Sequence, residues 1–459
     1  MTSLTRAYRG QIVLVVGLGV TGRAVAAALT AAGATVRAAD RRSAAELGDV
    51  QAWLGEGAVV YRDDDVKGCL DGVSLVVPSP GVASDAPLLA AAVARGIPVV
   101  SELELAARHL GAPILAVTGT NGKSTTTALL GEMLRAADAA PFVGGNLGTP
   151  LIAALQGRCG VAVVEVSSFQ LEWIEEFRPR VGVLLNVTED HLDRYPDLDA
   201  YGRTKLRMFA AQGAGDVAVL NGDDPWIRAH AAEVGVRQAG AAAREGRHAE
   251  AARQVWFGAG ADATVSASPT EIRAGTEAYA LADARLVGAH NRENMMAAVA
   301  AAQAFDVPRA AVQAGLERFQ GLEHRLELVR ERGGVRWFND SKGTNPAAVV
   351  RSLQSFPGRV ILLAGGIEKG GDYGVLATPA AGVVTRAIVF GAAQAMLART
   401  FAGVTTVERA TSLAEAVARA DAVAVAGDTV LLSPACASFD MFRDYADRGR
   451  QFKALVEAL

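Results

Sequence analysis

The residues best able to do chemistry lie in two glycine loops. GLGVTG (17–22) follows an apolar run with G-x-G-x-x-G spacing, and Asp40 closes the next apolar run. This pattern is the fingerprint of a dinucleotide site, with a diphosphate on a helix N-terminus and an acidic residue on a ribose. Alone, it predicts a nicotinamide-dependent dehydrogenase. GTNGKST (119–125) follows the strand-like ILAVT and opens a helix-compatible segment. Its glycines let backbone N–H groups converge on phosphate oxygens, and the helix N-terminus adds positive charge. Lys123 is suited to the β/γ-phosphates and Ser124 to Mg²⁺. The spacing is not G-x-x-x-x-G-K-[ST], because Val117 stands where the first glycine belongs. The bland alternative is a tight strand-to-helix turn with an incidental lysine.

Two further strand ends could serve the second loop. GVAVVEVSSFQLE (160–172) carries Glu165, and VGVLLNVTEDHLDRYP (181–196) ends in Asn186, Asp190, His191 and Asp193. Ligands gather at the carboxyl ends of parallel strands, and an acidic residue there can hold Mg²⁺ beside a triphosphate. The chain has only six lysines (Lys67, Lys123, Lys205, Lys342, Lys369 and Lys453) against 39 arginines. A lysine retained in such a background is a candidate for chemistry closed to a guanidinium, as a point charge or a nucleophilic amine. Lys205, on a predicted helix, is read this way rather than as a solvated surface lysine. The first loop has no comparable company, and its domain offers no evident acid or base for hydride transfer.

The elements that must position these groups alternate. Strand-like runs at 12–17, 35–40, 73–78, 114–118, 161–166, 181–187, 217–221, 359–364, 386–391 and 428–433 are each followed by helix-compatible sequence, which predicts α/β architecture with parallel sheets. The length of 459 residues suggests roughly three domains. Breaks are expected near 109–111 and at Phe319–Gly321, the latter a candidate hinge. Short alternating segments at 250–287 suggest an antiparallel flap, and 236–253 a loop or surface helix. A net charge of −4 without a basic block argues against a nucleic-acid partner. No apolar run is long enough for membrane insertion, and no signal-peptide pattern opens the chain. The three cysteines (Cys69, Cys159, Cys436) lack metal-type spacing, which suits a reducing, cytoplasmic setting.

Taken in order, GTNGKST, VEVSSFQLE, NVTEDHLDRYP, NGDDP, GAHNRENMMAA, FQGLEHRLE, NDSKGTNP, LAGGIEKGGDY and LLSPACASFDMFRDYADRG resemble the Mur ligases of peptidoglycan synthesis over nearly the whole chain. NDSKGTNP (339–346) resembles the members that add D-glutamate, and the D-N-P-R motif of the diaminopimelate-adding members is absent. The resemblance implies three domains: a Rossmann-like UDP-substrate domain (1–110), a central P-loop ATPase-type domain with a mostly parallel sheet (111–321), and a Rossmann-like amino-acid-binding domain (322–459). It implies a monomeric, ATP-dependent amide ligase that activates UDP-N-acetylmuramoyl-L-alanine as an acyl phosphate for attack by D-glutamate. The first loop would then cradle the diphosphate of a UDP-sugar rather than of a nicotinamide cofactor.

Residue by residue, the resemblance implies that Val20, Thr21, Gly22, Asp40, Arg42, Ser79 and Gly81 line the UDP site, with Asn146 and His191 toward the reacting carboxyl. ATP would meet Gly119, Thr120, Asn121, Gly122, Lys123, Ser124, Thr125 and Thr126, then Asn291 and Asn294 on the adenine side, and Arg325, Asp340 and Lys342. Ser124 and Glu165 would serve one Mg²⁺, and His191 with a carbamylated Lys205 a second. Lys123, Glu165, His191, Lys205 and Arg325 would be the catalytic group. D-Glutamate would meet Thr344, Lys369, Ser438, Phe439 and Tyr445, and domain closure would bring the C-terminal loops to the nucleotide. The sequence departs from the family pattern at Gly343 (usually Ala), Phe439 (Leu) and Tyr445 (Phe), which leaves every charge in place. A folylpolyglutamate synthetase or another Mur ligase is the alternative within this resemblance. Outside it stand a dehydrogenase, a P-loop ATPase switch and a non-catalytic scaffold.

Overall fold

A computed structural model describes residues 2–42, 44–47, 59–62, 65–191, 194–235, 251–284, 286, 288–356, 358–368 and 372–459. Lys369, Asp193 and most of the 236–253 segment lie outside these. The chain divides into two compact units, Met1–Ala284 with Glu293–Arg318, and Arg285–Arg292 with Phe319–Leu459.

The first unit holds two sheets. The strands β1 (Ile12–Val16), β2 (Thr35–Asp40), β3 (Val59–Arg62) and β4 (Leu75–Pro78) form a four-stranded parallel sheet in the order β3-β2-β1-β4. Helix α1 (Val20–Ala31) leaves β1 through the first glycine loop and buries Val25, Ala26, Ala28 and Leu29. Helix α2 (Glu102–His109) is capped by Ser101, whose hydroxyl accepts from Glu104 N.

The second sheet has nine strands: β5 (Ile114–Thr118), β6 (Pro141–Gly145), β7 (Val161–Glu165), β8 (Val181–Leu184), β9 (Val217–Asn221), β10 (Arg253–Phe257), β11 (Val265–Ala267), β12 (Glu271–Ala274) and β13 (Glu277–Ala280). Their order is β13-β12-β11-β10-β9-β8-β5-β7-β6. Every residue of β5, β7, β8 and β9 is buried, as expected of unbroken Val/Ile/Leu/Ala runs in a parallel sheet covered on both faces. Helix α3 (Lys123–Ala136) follows β5, and the chain reaches β6 and β7 on one side of β5 and β8 on the other. The carboxyl end of β5 is thus a topological switch point, where a crevice opens. The expected antiparallel flap is narrower than 250–287. Strand β10 joins β9 in parallel and β11 continues in parallel on β10, so only β11–β12–β13 are antiparallel. Alternation alone does not distinguish a parallel neighbour from an antiparallel one.

The second unit is a six-stranded sheet of β14 (Glu327–Arg332), β15 (Val335–Asn339), β16 (Val360–Gly365), β17 (Val384–Phe390), β18 (Thr406–Arg409) and β19 (Thr429–Leu432). In the order β14-β15-β19-β16-β17-β18, only the β14–β15 hairpin is antiparallel. The loops after β15, β16 and β19 therefore emerge at one end of adjacent parallel strands.

Candidate active site

The second glycine loop is built to keep its backbone open. Gly119 has φ 150° and Gly122, the N-cap of α3, has φ 84°. A Cβ at Gly122 would lie 2.1 Å from Asn294 Oδ1, and one at Gly119 2.9 Å from Leu185 Cβ. Only glycine meets both demands. The loop is clamped to the segment after β8. Asn121 N donates to Asn186 Oδ1 (2.8 Å), Asn186 Nδ2 donates to Asn121 O (3.2 Å), and Thr120 N donates to Asn186 O (2.9 Å). Thr120 Oγ1 and the backbone of Thr188 bond in both directions at 3.0–3.1 Å. Ser124, Thr125 and Thr126 are buried in the first turn of α3, and Thr126 Oγ1 lies 3.4 Å from Asn294 Oδ1. Asn294 thus sits against the loop itself. Asn291 belongs to the other unit and is likewise buried.

Two amines converge on one carbonyl. Lys123 Nζ donates to Gly119 O and Thr120 O, each at 2.9 Å, and Lys205 Nζ donates to the same Gly119 O at 3.1 Å. Lys205 comes from α4 (Leu198–Leu206), which Asp197 caps through Ala200 N. It is 1% exposed, with its amine 4.2 Å from the Tyr201 ring centroid. Burial, then the neighbouring Lys123 ammonium, push its pKa well below the usual lysine range, against a smaller opposing pull from Asp190. Burial of this kind favours the neutral amine, the form that a solvated surface lysine does not offer.

Glu165 ends β7 and is buried. Its Oε1 accepts from Asn146 Nδ2 at 2.6 Å, while Oε2 is buried with no hydrogen-bond partner among the described residues. Asn146 is held in turn by its own N–H on Glu165 O (2.9 Å). The SSFQ sequence that follows forms a reciprocal capping box, Ser167 Oγ accepting from Gln170 N and Gln170 Oε1 from Ser167 N. His191 adopts a left-handed backbone (φ 55°) in a turn closed by Arg194 N and Tyr195 N on its carbonyl. Its half-exposed ring packs 4.7 Å from Phe169 and 6.2 Å from Tyr201. Tyr201 thus lies between His191 and Lys205. Among the described residues, no three His, Cys, Asp or Glu side chains cluster as a self-sufficient metal site. An unpartnered carboxylate oxygen beside a phosphate loop instead suits Mg²⁺, which keeps waters and takes substrate phosphate oxygens.

The first glycine loop is tightly closed. A Cβ at Gly22 would lie 1.9 Å from Gly17 O, and Ser79 Oγ donates to that same carbonyl at 2.6 Å. Asp40 Oδ2 accepts from Leu18 N (2.7 Å) and Arg42 Nη2 (2.9 Å), and Oδ1 accepts from Arg42 N (2.9 Å) and Nε (3.0 Å). The Arg42 side chain beside it holds the Asp40 carboxyl far below the usual carboxylate range. Val20 and Thr21 open α1, Val20 strongly exposed. Gly81 lies in the loop after β4 with open space beside its Cα.

Among the described residues of the second unit, Asp340, Lys342 and Thr344 lie on the loop after β15 and Ser438, Phe439 and Tyr445 on the segment after β19, while Arg325 precedes β14. Asp340 is buried, its Oδ2 accepting from Ser352 Oγ and Ser433 Oγ (both 2.7 Å) and its Oδ1 from Leu326 N (3.3 Å), and burial raises its pKa. Arg325, between the left-handed residues His324 and Leu326, lies close enough to oppose that rise. Lys342 N donates to His324 O, and its amine lies 5.9 Å from the Tyr445 ring. Thr344 N donates to Lys342 O. Ser438 is buried, Phe439 is 70% exposed and Tyr445 is partly exposed.

Several residues escaped the sequence reading. Arg448, on α5 (Tyr445–Glu457), is fully buried, and its guanidinium donates to Ser341 Oγ and O (both 2.9 Å), Gly365 O (3.2 Å) and Cys436 O (3.3 Å). It ties the loops after β15, β16 and β19 together, and burial lowers its pKa to about 10. Among 39 arginines nothing marked it. Glu104 is buried, its carboxylate accepting from the N–H groups of Glu175, Glu176 and Phe177 at 2.9–3.2 Å. Asn186, recognised only as a strand-end residue, clamps the phosphate loop.

Comparison with known proteins bears on this geometry. Residues 11–101 match the family model of the MurD-like N-terminal domain of Mur ligases, 117–302 the Mur ligase middle domain, and 324–436 the Mur ligase glutamate ligase domain. A UDP-N-acetylmuramoylalanine–D-glutamate ligase of Syntrophotalea carbinolica is 44% identical, over 98% of both chains. One of Myxococcus xanthus is 44% identical over 99% of this chain and all of its own. Among solved structures, the MurF ligase of Thermotoga maritima in complex with ADP superposes with TM-score 0.60 at 16% identity over the full length of both chains. UDP-N-acetylmuramate–alanine ligase MurC of the same organism gives 0.59 at 20% identity, covering 98% of this chain and 99% of its own.

Proposed function

Because the chain belongs to the Mur ligase family, we infer that it joins D-glutamate to UDP-N-acetylmuramoyl-L-alanine at the expense of ATP, a step of peptidoglycan synthesis. The full-length relatives at 44% identity carry that activity in their names, and NDSKGTNP is the loop that favours it over other family activities. The observation that carries the chemistry is the convergence of Lys123 and Lys205 on Gly119 O beside Glu165, whose Oε2 lacks a partner among the described residues.

A carboxylate is a poor acyl donor because its leaving group is oxide. One oxygen of the L-alanyl carboxylate attacks the γ-phosphorus of ATP, the bond to the β-bridging oxygen breaks, and ADP leaves. The amine of D-glutamate then attacks the acyl carbon and phosphate departs, taking that carboxylate oxygen and leaving an amide. The first step brings two anions together, a repulsion of about 4 kcal/mol at ~4 Å and an effective dielectric of ~20. In this reading Lys123 leaves its two carbonyls for the phosphates, and the N–H groups of 119–124 orient the triphosphate tail. Ser124 and Glu165 would hold one Mg²⁺, and His191 with a carbamate on Lys205 a second. These ions supply charge neutralisation at the γ-phosphate. The lowered basicity of Lys205 supports carbamylation, which needs a neutral amine. Asn146, by fixing Glu165, would bring the substrate carboxylate to this crevice.

The UDP moiety is assigned to Val20, Thr21, Gly22, Asp40, Arg42, Ser79 and Gly81, the adenine side to Asn291 and Asn294, the ribose to Asp340, the phosphates to Arg325, and a place beside the nucleotide to Lys342. D-Glutamate is assigned to Thr344, Lys369, Ser438, Phe439 and Tyr445. A dehydrogenase is disfavoured because the full-length relatives at 44% identity are named as ligases. The domain division 1–110, 111–321 and 322–459 goes with this assignment. So does a cytoplasmic location, where both nucleotides are made; no helix among the described residues is long and apolar enough to cross a membrane.

The test is phosphate release and product mass with UDP-N-acetylmuramoyl-L-alanine, ATP and Mg²⁺, screening D-glutamate, L-alanine, diaminopimelate and D-alanyl-D-alanine. Product with D-glutamate alone is expected. Turnover with another acceptor, or none without a nicotinamide cofactor, contradicts the reading.

A further inference from the structure

Arg194 joins the loop after β4 to the helical turn that follows β7. Its side chain is 14% exposed. Nε donates to Glu172 Oε1 (2.9 Å) and Nη2 to Glu172 Oε2 (2.5 Å), a two-pronged pairing with the helical turn after Glu165. Nη2 also donates to Val82 O (2.9 Å) and Nη1 to Pro80 O (3.3 Å), both in the loop after β4. The guanidinium carbon stands 4.2 Å from the Phe169 ring centroid, and the His191 ring packs 4.7 Å from that same ring. Arg194 N closes the left-handed turn at His191 by donating to His191 O (2.9 Å). Tyr195 OH completes the knot on Glu172 Oε1 at 2.6 Å.

One side chain therefore connects three things: the 79–82 loop, which also reaches the first glycine loop through Ser79 and Val82; the turn following Glu165; and the His191 turn. Only a guanidinium can do this. Its planar fork engages a carboxylate bidentately, offers further N–H groups to carbonyls, and stacks on an aromatic face. Lysine would keep the charge and lose the geometry.

We propose that Arg194 is a positioning residue that sets the register between the loop over the UDP end of the substrate and the His191 turn at its reacting end. This proposal rests on the ligase reading above. A long substrate anchored at one end reacts at the other, so a small displacement between the anchors misplaces the carboxylate relative to the γ-phosphate. A misplacement of about 1 Å can cost on the order of a hundredfold in rate. ADP, which lacks the γ-phosphate and is held by the 119–126 loop and its Asn186 clamp, makes no use of this register.

The experiment compares wild type, Arg194→Lys, Arg194→Met and the charge-balanced Arg194→Met/Glu172→Gln. It measures kcat and KM for each substrate and ADP affinity by calorimetric titration. All three variants are expected to bind ADP within about threefold of wild type. They should lose at least ~30-fold in kcat/KM for the UDP-sugar, with kcat itself reduced and Arg194→Lys no better than Arg194→Met. Normal turnover in Arg194→Lys overturns the proposal, because charge alone would then suffice. So does a parallel loss of ADP affinity in all three variants, which marks a residue of general stability. Absence of D-glutamate ligation by wild type in the same assay refutes instead the ligase reading.

Discussion

Replacing Lys205 with methionine should inactivate the enzyme while making it harder to melt. The amine is 1% exposed and gains one hydrogen bond, to Gly119 O. That carbonyl is not orphaned by the change, because Lys123 Nζ already donates to it at 2.9 Å. Methionine is of similar length and keeps contact with the Tyr201 ring. The main energetic difference is therefore the ionisation of lysine. In the unfolded chain the amine titrates normally; in the folded chain burial and Lys123 depress its pKa. Each unit of depression costs the folded state about 1.4 kcal/mol at pH values below the folded pKa, and the cost fades as pH rises to the ordinary lysine value. The methionine variant escapes this. Its melting midpoint at pH 7 should rise by on the order of 1–2 °C per kcal/mol recovered, and the gain should shrink steadily toward pH 10. Turnover, followed by phosphate release, should fall at least about a hundredfold. Arg194→Lys tests geometry; Lys205→Arg tests acid–base character, since arginine cannot shed its proton, and it should be no more active than alanine. Short carboxylic acids should partly rescue Lys205→Ala. Near-normal activity in Lys205→Arg, or a methionine variant that melts lower than wild type at every pH, would refute the reasoning.

Other consequences are more local. Gly122→Ala puts a methyl 2.1 Å from Asn294 Oδ1 at φ 84°, so ADP affinity, read by calorimetry, should drop by at least about tenfold. Asp40→Ala frees Leu18 N and Arg42, and should raise KM for the UDP-sugar while leaving KM for ATP unchanged. Glu102 is 1% exposed, and burial raises its pKa from 4.5 to about 7 against the pull of Ile152 N on Oε1. The folded state then holds a proton that the unfolded state has lost, so wild-type stability falls as pH rises from about 4.5 through 7. Glu102→Gln keeps an acceptor for Ile152 N and should abolish that decline, for a relative gain of about 3 kcal/mol at pH 8 and little at pH 5, in denaturant melts.

The sequence reveals this site unevenly, for physical reasons. Buried parallel strands are unbroken apolar runs, so β1, β2, β4, β5, β7, β8, β9, β16, β17 and β19 stand out from periodicity. Strands β3, β6, β14 and β18 do not, because they are edge or near-edge strands with mixed composition. The phosphate loop is legible because glycine, lysine and serine each have a necessary place in it. Glu165 and His191 are legible as polar residues ending apolar runs. Lys205 stands out only because lysine is scarce, and its burial is visible only in three dimensions. Asp40 shows a pattern that is legible while its contacts are not: its spacing matches a ribose-binding acid, and only the structure shows that its oxygens also brace its own loop. Arg448 and Arg194 are hidden for the opposite reason. Their work is to bridge segments far apart in sequence, and no local spacing encodes it.

The central claim is that ATP phosphorylates the substrate carboxylate before the amine attacks. It is tested most directly by placing ¹⁸O in the L-alanyl carboxylate of UDP-N-acetylmuramoyl-L-alanine and analysing the phosphate released during ligation to D-glutamate. One ¹⁸O atom per phosphate is the expected result, since a carboxylate oxygen leaves with the phosphoryl group. Phosphate free of label, with D-glutamate nevertheless joined, would mean that the amide forms by another route.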